Sequence, residues 1–308
     1  MKQPILVTGI HRSGSTWIGK TISASKDVKY IHEPFNIIMD WANPLGKIGL
    51  KTRVSPFNYW FEYFDEQTSE KRKREVLTFI RNFYELNSLT IAHELFKIRG
   101  RKDISIFCNE IKSRAKRPLL KDPIAFFSSA FLAKELNCKV IISIRHPLAF
   151  IASIIRKSWE FNFNDLLEQE RLMELHLSKY KDMIINYSNT NYPLIDQGIL
   201  LWNIMYDFAY QLKLNNNSNF YFITHEAMSK SPFLEFENMF KFLDLNFSNE
   251  VIQQIERSTS GQVKNDLNRN ALQNIKSWKS VLTNDEVQKI KEGTEAVASK
   301  FYTNDSWI

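Results

Sequence analysis

The chain has 308 residues, of which 44% are hydrophobic and 24% charged, with only 9 Gly and 9 Pro. That composition belongs to a globular protein with a large core and excludes collagen-like and disordered classes. The net charge of +7 favours anionic partners, but no zinc-finger spacing, basic-zipper heptad or aromatic-interleaved basic tract points to nucleic acid.

In chain order, the apolar run 5–8 predicts a buried strand. The loop that follows reads Gly9, Ile10, His11, Arg12, Ser13, Gly14, Ser15, Thr16, Trp17. It opens a predicted helix over 15–25, so backbone N–H groups and the helix dipole face an anion there. Two glycines five apart match the first half of the nucleotide-triphosphatase loop. The second half departs, because Ser15 stands where that motif has its Lys and the cation has moved to Arg12. Such a loop suits one phosphate with a cation beside the next group.

Residues 36 to about 110 form a long insertion, aromatic-rich between Phe57 and Phe64. It either builds an acceptor pocket or lid or simply covers the core. Strands are predicted at 118–121, 139–144 and 220–224, with helices over 124–136, 148–157 and 233–243. Arg145 ends the strand 139–144, and Pro147 opens the next helix. Ser153 and Lys157, four apart, share a face of that helix. Arg145, Ser153 and Lys157 together offer a site for a second phosphate. A mostly helical insertion spans 160 to about 212. Thr283 and Glu286 read as a capping box.

Cys108 and Cys138 read as buried free thiols, with no disulfide scaffold and no metal site. The clusters Lys71–Arg74, Arg99–Lys102 and Lys112–Arg117 read as solvated helix faces or loops. With no signal-peptide h-region and no transmembrane-length apolar run, the protein is expected to be cytoplasmic and bacterial. Alternation of strand and helix predicts a three-layer α/β fold. A central parallel sheet is flanked by helices, P-loop nucleotide-hydrolase-like with helical insertions, as one domain over 1–308. Ligands then sit at the carboxyl ends of the strands.

On these motifs the chain resembles the sulfotransferases that use 3′-phosphoadenosine-5′-phosphosulfate (PAPS). Residues 12–17 look like their 5′-phosphosulfate loop, with Arg12 where many cytosolic members have Lys. Arg145 and Ser153 look like their 3′-phosphate pair, and Trp17 matches an adenine-packing Trp. The resemblance is nearest to the tyrosylprotein and Golgi-type branch and its bacterial relatives. Lys121, Asp122 and Pro123 match a Lys-Asp-Pro segment there, and Glu33 lies at the separation from Arg12 of that branch's catalytic Glu. Residues 256–259, with Gln262, Val263 and Trp278, resemble its C-terminal donor segment, with Ser258 as contact. His225 falls where many members have an adenine-touching Tyr.

The resemblance implies O-sulfation by in-line transfer from PAPS as co-substrate, leaving adenosine 3′,5′-bisphosphate, with no metal. Glu33 is then the general base, with His32 and His11 in reserve, and Arg12 and Lys121 stabilise developing charge. The acceptor is a hydroxyl on a glycan, lipid, small metabolite or peptide, with carbohydrate preferred. A P-loop kinase or NTPase is the alternative; the missing loop Lys argues against it.

Overall fold

Five short strands, all parallel, form one sheet in the order β2-β3-β1-β4-β5. They are β1 (Ile5–Gly9), β2 (Val28–His32), β3 (Arg117–Lys121), β4 (Lys139–Ile144) and β5 (Phe220–Thr224). The computed structural model describes residues 2–38, 55–85, 98–260 and 275–307, together with 91, 95 and 96. Four strands lie where the sequence places them, to within a residue. β1, β3 and most of β4 are buried on both faces, as parallel strands between helical layers must be.

Alternation along each strand sorts side chains into two cores. Leu6, Leu120, Val140 and Ile142 join one cluster, while Ile5, Val7, Leu119 and Ile141 join the other. Helices α1 (Ser15–Ile22), α11 (Pro232–Leu243) and α12 (Asn249–Thr259) cover the second cluster through Ile18, Phe236, Phe240 and Ile255. The first cluster is covered by α2 (Glu70–Arg81), α4 (Ser129–Glu135), α5 (Pro147–Lys157), α9 (Leu194–Leu214) and α13 (Asn284–Ala298). The insertion after α5 is helical, as expected: α6 (Asn164–Leu167), α7 (Glu170–Leu175) and α8 (Lys181–Asn189) each send apolar residues into that core. The remaining helices are α3 (Arg101–Arg114) and α10 (His225–Lys230). The capping box at Thr283 and Glu286 closes reciprocally at the start of α13.

Several expectations need correction. β2 was not predicted, because Lys29 and His32 break its apolar run. It is an edge strand, and Lys29 reaches Glu110 at 2.6 Å instead of entering the core. The helix expected from residue 124 begins only at Ser129. Asp122 Oδ1 accepts the N–H groups of Ile124 and Ala125, a side-chain turn that competes with helical bonding. Cys138 is buried but Cys108 is exposed, since α3 buries none of its residues.

Several residues of the basic clusters are paired and largely covered instead of solvated, Lys73 with Glu70 and Arg114 with Glu110 among them. Arg72 pairs with Glu62 and Glu75, and Arg117 is buried and binds the carbonyls of Gln3 and Leu243. Of the aromatic stretch, Phe57, Phe61 and Phe64 are core.

Register aligns the carboxyl ends of the strands. His32 and Val7 both sit beside Lys121, and Gly9 sits beside Ser143. Glu33, the loop after Gly9, Asp122, Arg145 and His225 therefore share one edge of the sheet.

Candidate active site

At that edge lies a cavity of about 590 Å³. Its walls hold Arg12, Gly14, Ser15, Thr16, Trp17, Glu33, Lys121, Arg145, Ser153, Lys157, His225 and Ser258. Of the residues given a catalytic or donor-contact role from the sequence, all line this wall except Ser13. Ser13 is fully buried, its carbonyl accepts a 2.7 Å bond from Ser143 Oγ, and its own Oγ has no partner. It shapes the loop from beneath.

The loop conformation is written in its glycines. Gly9 has φ +140°, and a Cβ there would lie 2.3 Å from the Ser143 carbonyl oxygen. Gly14, at φ +101°, is the N-cap of α1, and a Cβ there would meet the His225 ring at 2.6 Å. Only glycine fits either place. No side chain caps α1, so its first N–H groups are left for an anion. Arg12, also at positive φ, turns its side chain back so that Nε donates to Ser153 Oγ at 3.1 Å.

Arg145 approaches the same point from β4. Its Nη1 donates to the Arg12 carbonyl at 2.5 Å, and its Nε is buried without a partner. Burial lowers its pKa to about 10, with Glu226 opposing and Arg12 and Arg156 adding to the fall, so it stays a cation at neutral pH. Arg12, Arg145 and Ser153 thus converge, with Lys157 one turn beyond Ser153 on α5.

Trp17, His225 and Ser258 form another part of the same cavity wall. Trp17 Nε1 donates to Ser258 Oγ at 2.9 Å, and the Trp17 ring meets His225 edge-on at 5.9 Å. Both His225 nitrogens are buried without partners, and burial, then Arg145, holds its pKa down at about 3. The ring is neutral and its polar atoms are unspent. Gln262 and Val263 lie outside the described residues. Trp278 is buried in the core.

Glu33 and Lys121 form an ion pair in the wall. Lys121 Nζ donates to Glu33 Oε1, and Asn36 Nδ2 donates to Oε2 at 3.0 Å. Burial pushes the Glu33 carboxyl up, but the Lys121 charge and bond and then the Asn36 bond outweigh it, leaving Glu33 below its ordinary value. Its backbone sits at φ +44°, an unusual place for a side-chain-bearing residue. That turn is pinned by Glu33 N–H to the Lys121 carbonyl at 2.8 Å and by Phe35 N–H to Asp122 Oδ2 at 2.6 Å. Glu33 pairs with Lys121, not with Arg12.

Of the reserve bases, His32 is nearly half exposed, with its ring 4.0 Å from Glu33. His11 is wedged between Trp60, Phe61 and Trp159, with ring centroids 5.3–5.5 Å apart. Burial takes its pKa to about 4, Glu33 opposing and Lys121 and Arg12 adding to the fall.

Sequence reasoning missed two wall residues, Ser229 and Arg156. Ser229 follows His225 by one helical turn on α10, so the spacing could have found it. Arg156 carries no such signal, being one of two basic residues in the last turn of α5. Among the described residues no group of His, Cys, Asp and Glu could hold a metal ion, and no helix is long and apolar enough to cross a membrane.

The sulfotransferase domain of the Synechococcus PCC 7002 olefin synthase superposes with a TM-score of 0.50 at 14% identity, covering 98% of this chain and 97% of that one. A mouse sulfotransferase solved in complex with PAP gives 0.43 at 15% identity, covering 99% and 86%. The DNA-directed RNA polymerase subunit beta′ of Tupiella akineta is 28% identical over 123 residues, 40% of this chain. The chain spans 7% of that protein's length, so the match gives no account of the site. The family model of the sulfotransferase domain matches residues 2–301. With that span, on a parallel sheet whose phosphate loop and basic cavity lie at the strand ends, the chain belongs to the sulfotransferase family.

Proposed function

We propose that the protein transfers the sulfuryl group of PAPS to an acceptor hydroxyl by in-line displacement, with Glu33 as general base. One observation carries this reading: a single cavity joins an uncapped helix N-terminus, a second cationic subsite at Arg145, and a carboxylate–ammonium pair. A donor with two separated anionic ends fits the first two. The third is what a neutral hydroxyl nucleophile needs.

Bound PAPS supplies an activated sulfuryl group on a phosphate leaving group. The loop N–H groups and Arg12 hold its 5′ end, and Arg145, Ser153 and Lys157 hold its 3′-phosphate. Trp17, His225 and Ser258 flank the adenine. Glu33 takes the proton as the acceptor oxygen bonds to sulfur and the bond from sulfur to the phosphate oxygen breaks. Lys121 has three donors and spends one on Glu33, so it can also face the transferring group and offset its growing charge. No step needs a metal. All 308 residues serve one domain in this reading, with 36–110 and 160–212 toward the acceptor. Carbohydrate is the preferred acceptor class, as the resemblance to bacterial relatives of the tyrosylprotein and Golgi-type branch implies.

Calorimetry tests the donor half. Adenosine 3′,5′-bisphosphate should bind more tightly than adenosine 5′-phosphate or ATP with magnesium. Arg145→Ala should weaken the bisphosphate about tenfold or more, the scale of a lost hydrogen bond to a charge, and leave adenosine 5′-phosphate nearly unchanged. Preference for ATP with magnesium would replace the reading with phosphoryl transfer. Labelled donor with pools of sugars, lipids and peptides identifies the acceptor.

A further inference from the structure

The backbone at Arg145 and His146 is held by side chains at three successive polar groups. The Arg145 N–H donates to Tyr206 Oη at 3.0 Å, and the Arg145 carbonyl accepts Trp202 Nε1 at 2.9 Å. The His146 N–H donates to Glu226 Oε1 at 3.1 Å. Trp202 and Tyr206 come from α9 and are fully buried. Glu226 comes from α10, and its other oxygen, Oε2, accepts the Tyr302 hydroxyl at 2.8 Å. Tyr302 and Trp307 then pack edge-on against the His146 ring, at 4.9 and 4.6 Å. A strand end is normally free to fray into its loop; this one is fixed from two helices and from the segment after α13.

The placement has an electrostatic side. Arg145 is a buried cation with Arg12 and Arg156 acting against it, and Glu226 is the carboxylate that acts in its favour. Burial raises the Glu226 pKa, while Tyr302, the His146 N–H and Arg145 oppose the rise.

We propose that Glu226 is a positioning residue for the anion subsite of Arg145: its two oxygens tie the His146 N–H to Tyr302 and so fix the angle at which the guanidinium enters the cavity. The inference rests on the reading that Arg145 meets the donor's 3′-phosphate. The ligand class concerned is a phosphate monoester, and Glu226 itself never touches it.

Calorimetry with adenosine 3′,5′-bisphosphate and adenosine 5′-phosphate tests this. Glu226→Ala should weaken the bisphosphate about tenfold, the scale of one lost charge contact, and adenosine 5′-phosphate less than twofold. Glu226→Gln keeps an acceptor oxygen for His146 and should recover most of the loss. Equal losses for both nucleotides, or a Gln variant as defective as Ala, would overturn the proposal. Should the Ala variant not fold, Tyr302→Phe removes only a hydroxyl and should cost the bisphosphate about threefold, again selectively; no selective loss overturns it. Arg145→Ala in the same assay separates the two ideas. If it shows no 3′-phosphate selectivity, the donor reading fails. If it does and the Glu226 and Tyr302 variants do not, only the positioning role fails.

Discussion

The two flanks of the cavity are built by different means. On the loop side, backbone is what is fixed: Gly9 and Gly14 take conformations only glycine fits, the α1 N-terminus is uncapped, and side chains clamp three backbone groups of Arg145 and His146. On the Glu33 side, two side chains hold each other, on a backbone that includes one residue at positive φ. On the proposed reading, binding falls to scaffold tied into the sheet, and the chemistry falls to a side-chain pair.

The comparison breaks first at Glu33. Glu33→Gln should lower kcat by about 10³, within the range for a lost general base, while the calorimetric Kd for adenosine 3′,5′-bisphosphate stays within twofold. If the Kd moves as much as kcat, the two flanks are not separable. Lys121→Met should cost about 10²–10³ in kcat, again with little change in nucleotide affinity.

pH sharpens the same division. Lys121 and Asn36 hold Glu33 below its ordinary value. On the proposed reading the base therefore stays ionised as pH falls through the usual carboxylate range, and kcat/KM drops only when pH passes the lowered value. In Lys121→Met burial is opposed by less, so the residual activity should show its acid limb at higher pH. Linkage has the same sign. The depressed pKa contributes stability above the unfolded value of about 4.3, lost as pH falls through the folded one; acid denaturation of Glu33→Gln should lack that component.

The smallest effect belongs to the loop side. Trp17→Phe removes one 2.9 Å bond to Ser258, and nucleotide affinity should fall about fivefold, the worth of roughly 1 kcal/mol. A loss above a hundredfold would mean that the Trp17 ring itself organises the loop.

Legibility followed the same line. β1, its loop and β4 were readable because both faces of those strands are buried and every residue is apolar or tightly constrained. β2 was not, since its exposed edge tolerates Lys29 and His32, and with it went any physical derivation of where Glu33 would sit. Spacing and resemblance brought Glu33 and Lys121 to notice. Only the register of His32 against Lys121 explains why they meet. The shortened α4 was hidden because Asp122, fully buried with a pKa pushed to about 7 by burial, spends its oxygens on three backbone N–H groups. The clamp on Arg145 and His146 joins residues 57 to 80 apart, a distance no periodicity can span.

The bond from Arg145 Nη1 to the Arg12 carbonyl has a consequence for selection among nucleotides. On the proposed reading the cation that reads one end of the donor also buttresses the loop that reads the other. The site then behaves as a bivalent receptor, in which each anchored end raises the effective concentration of the second. A cell rich in nucleotides bearing a single phosphorylated end offers many partial matches. Such a receptor discounts them all, because recognition is a conjunction of both ends.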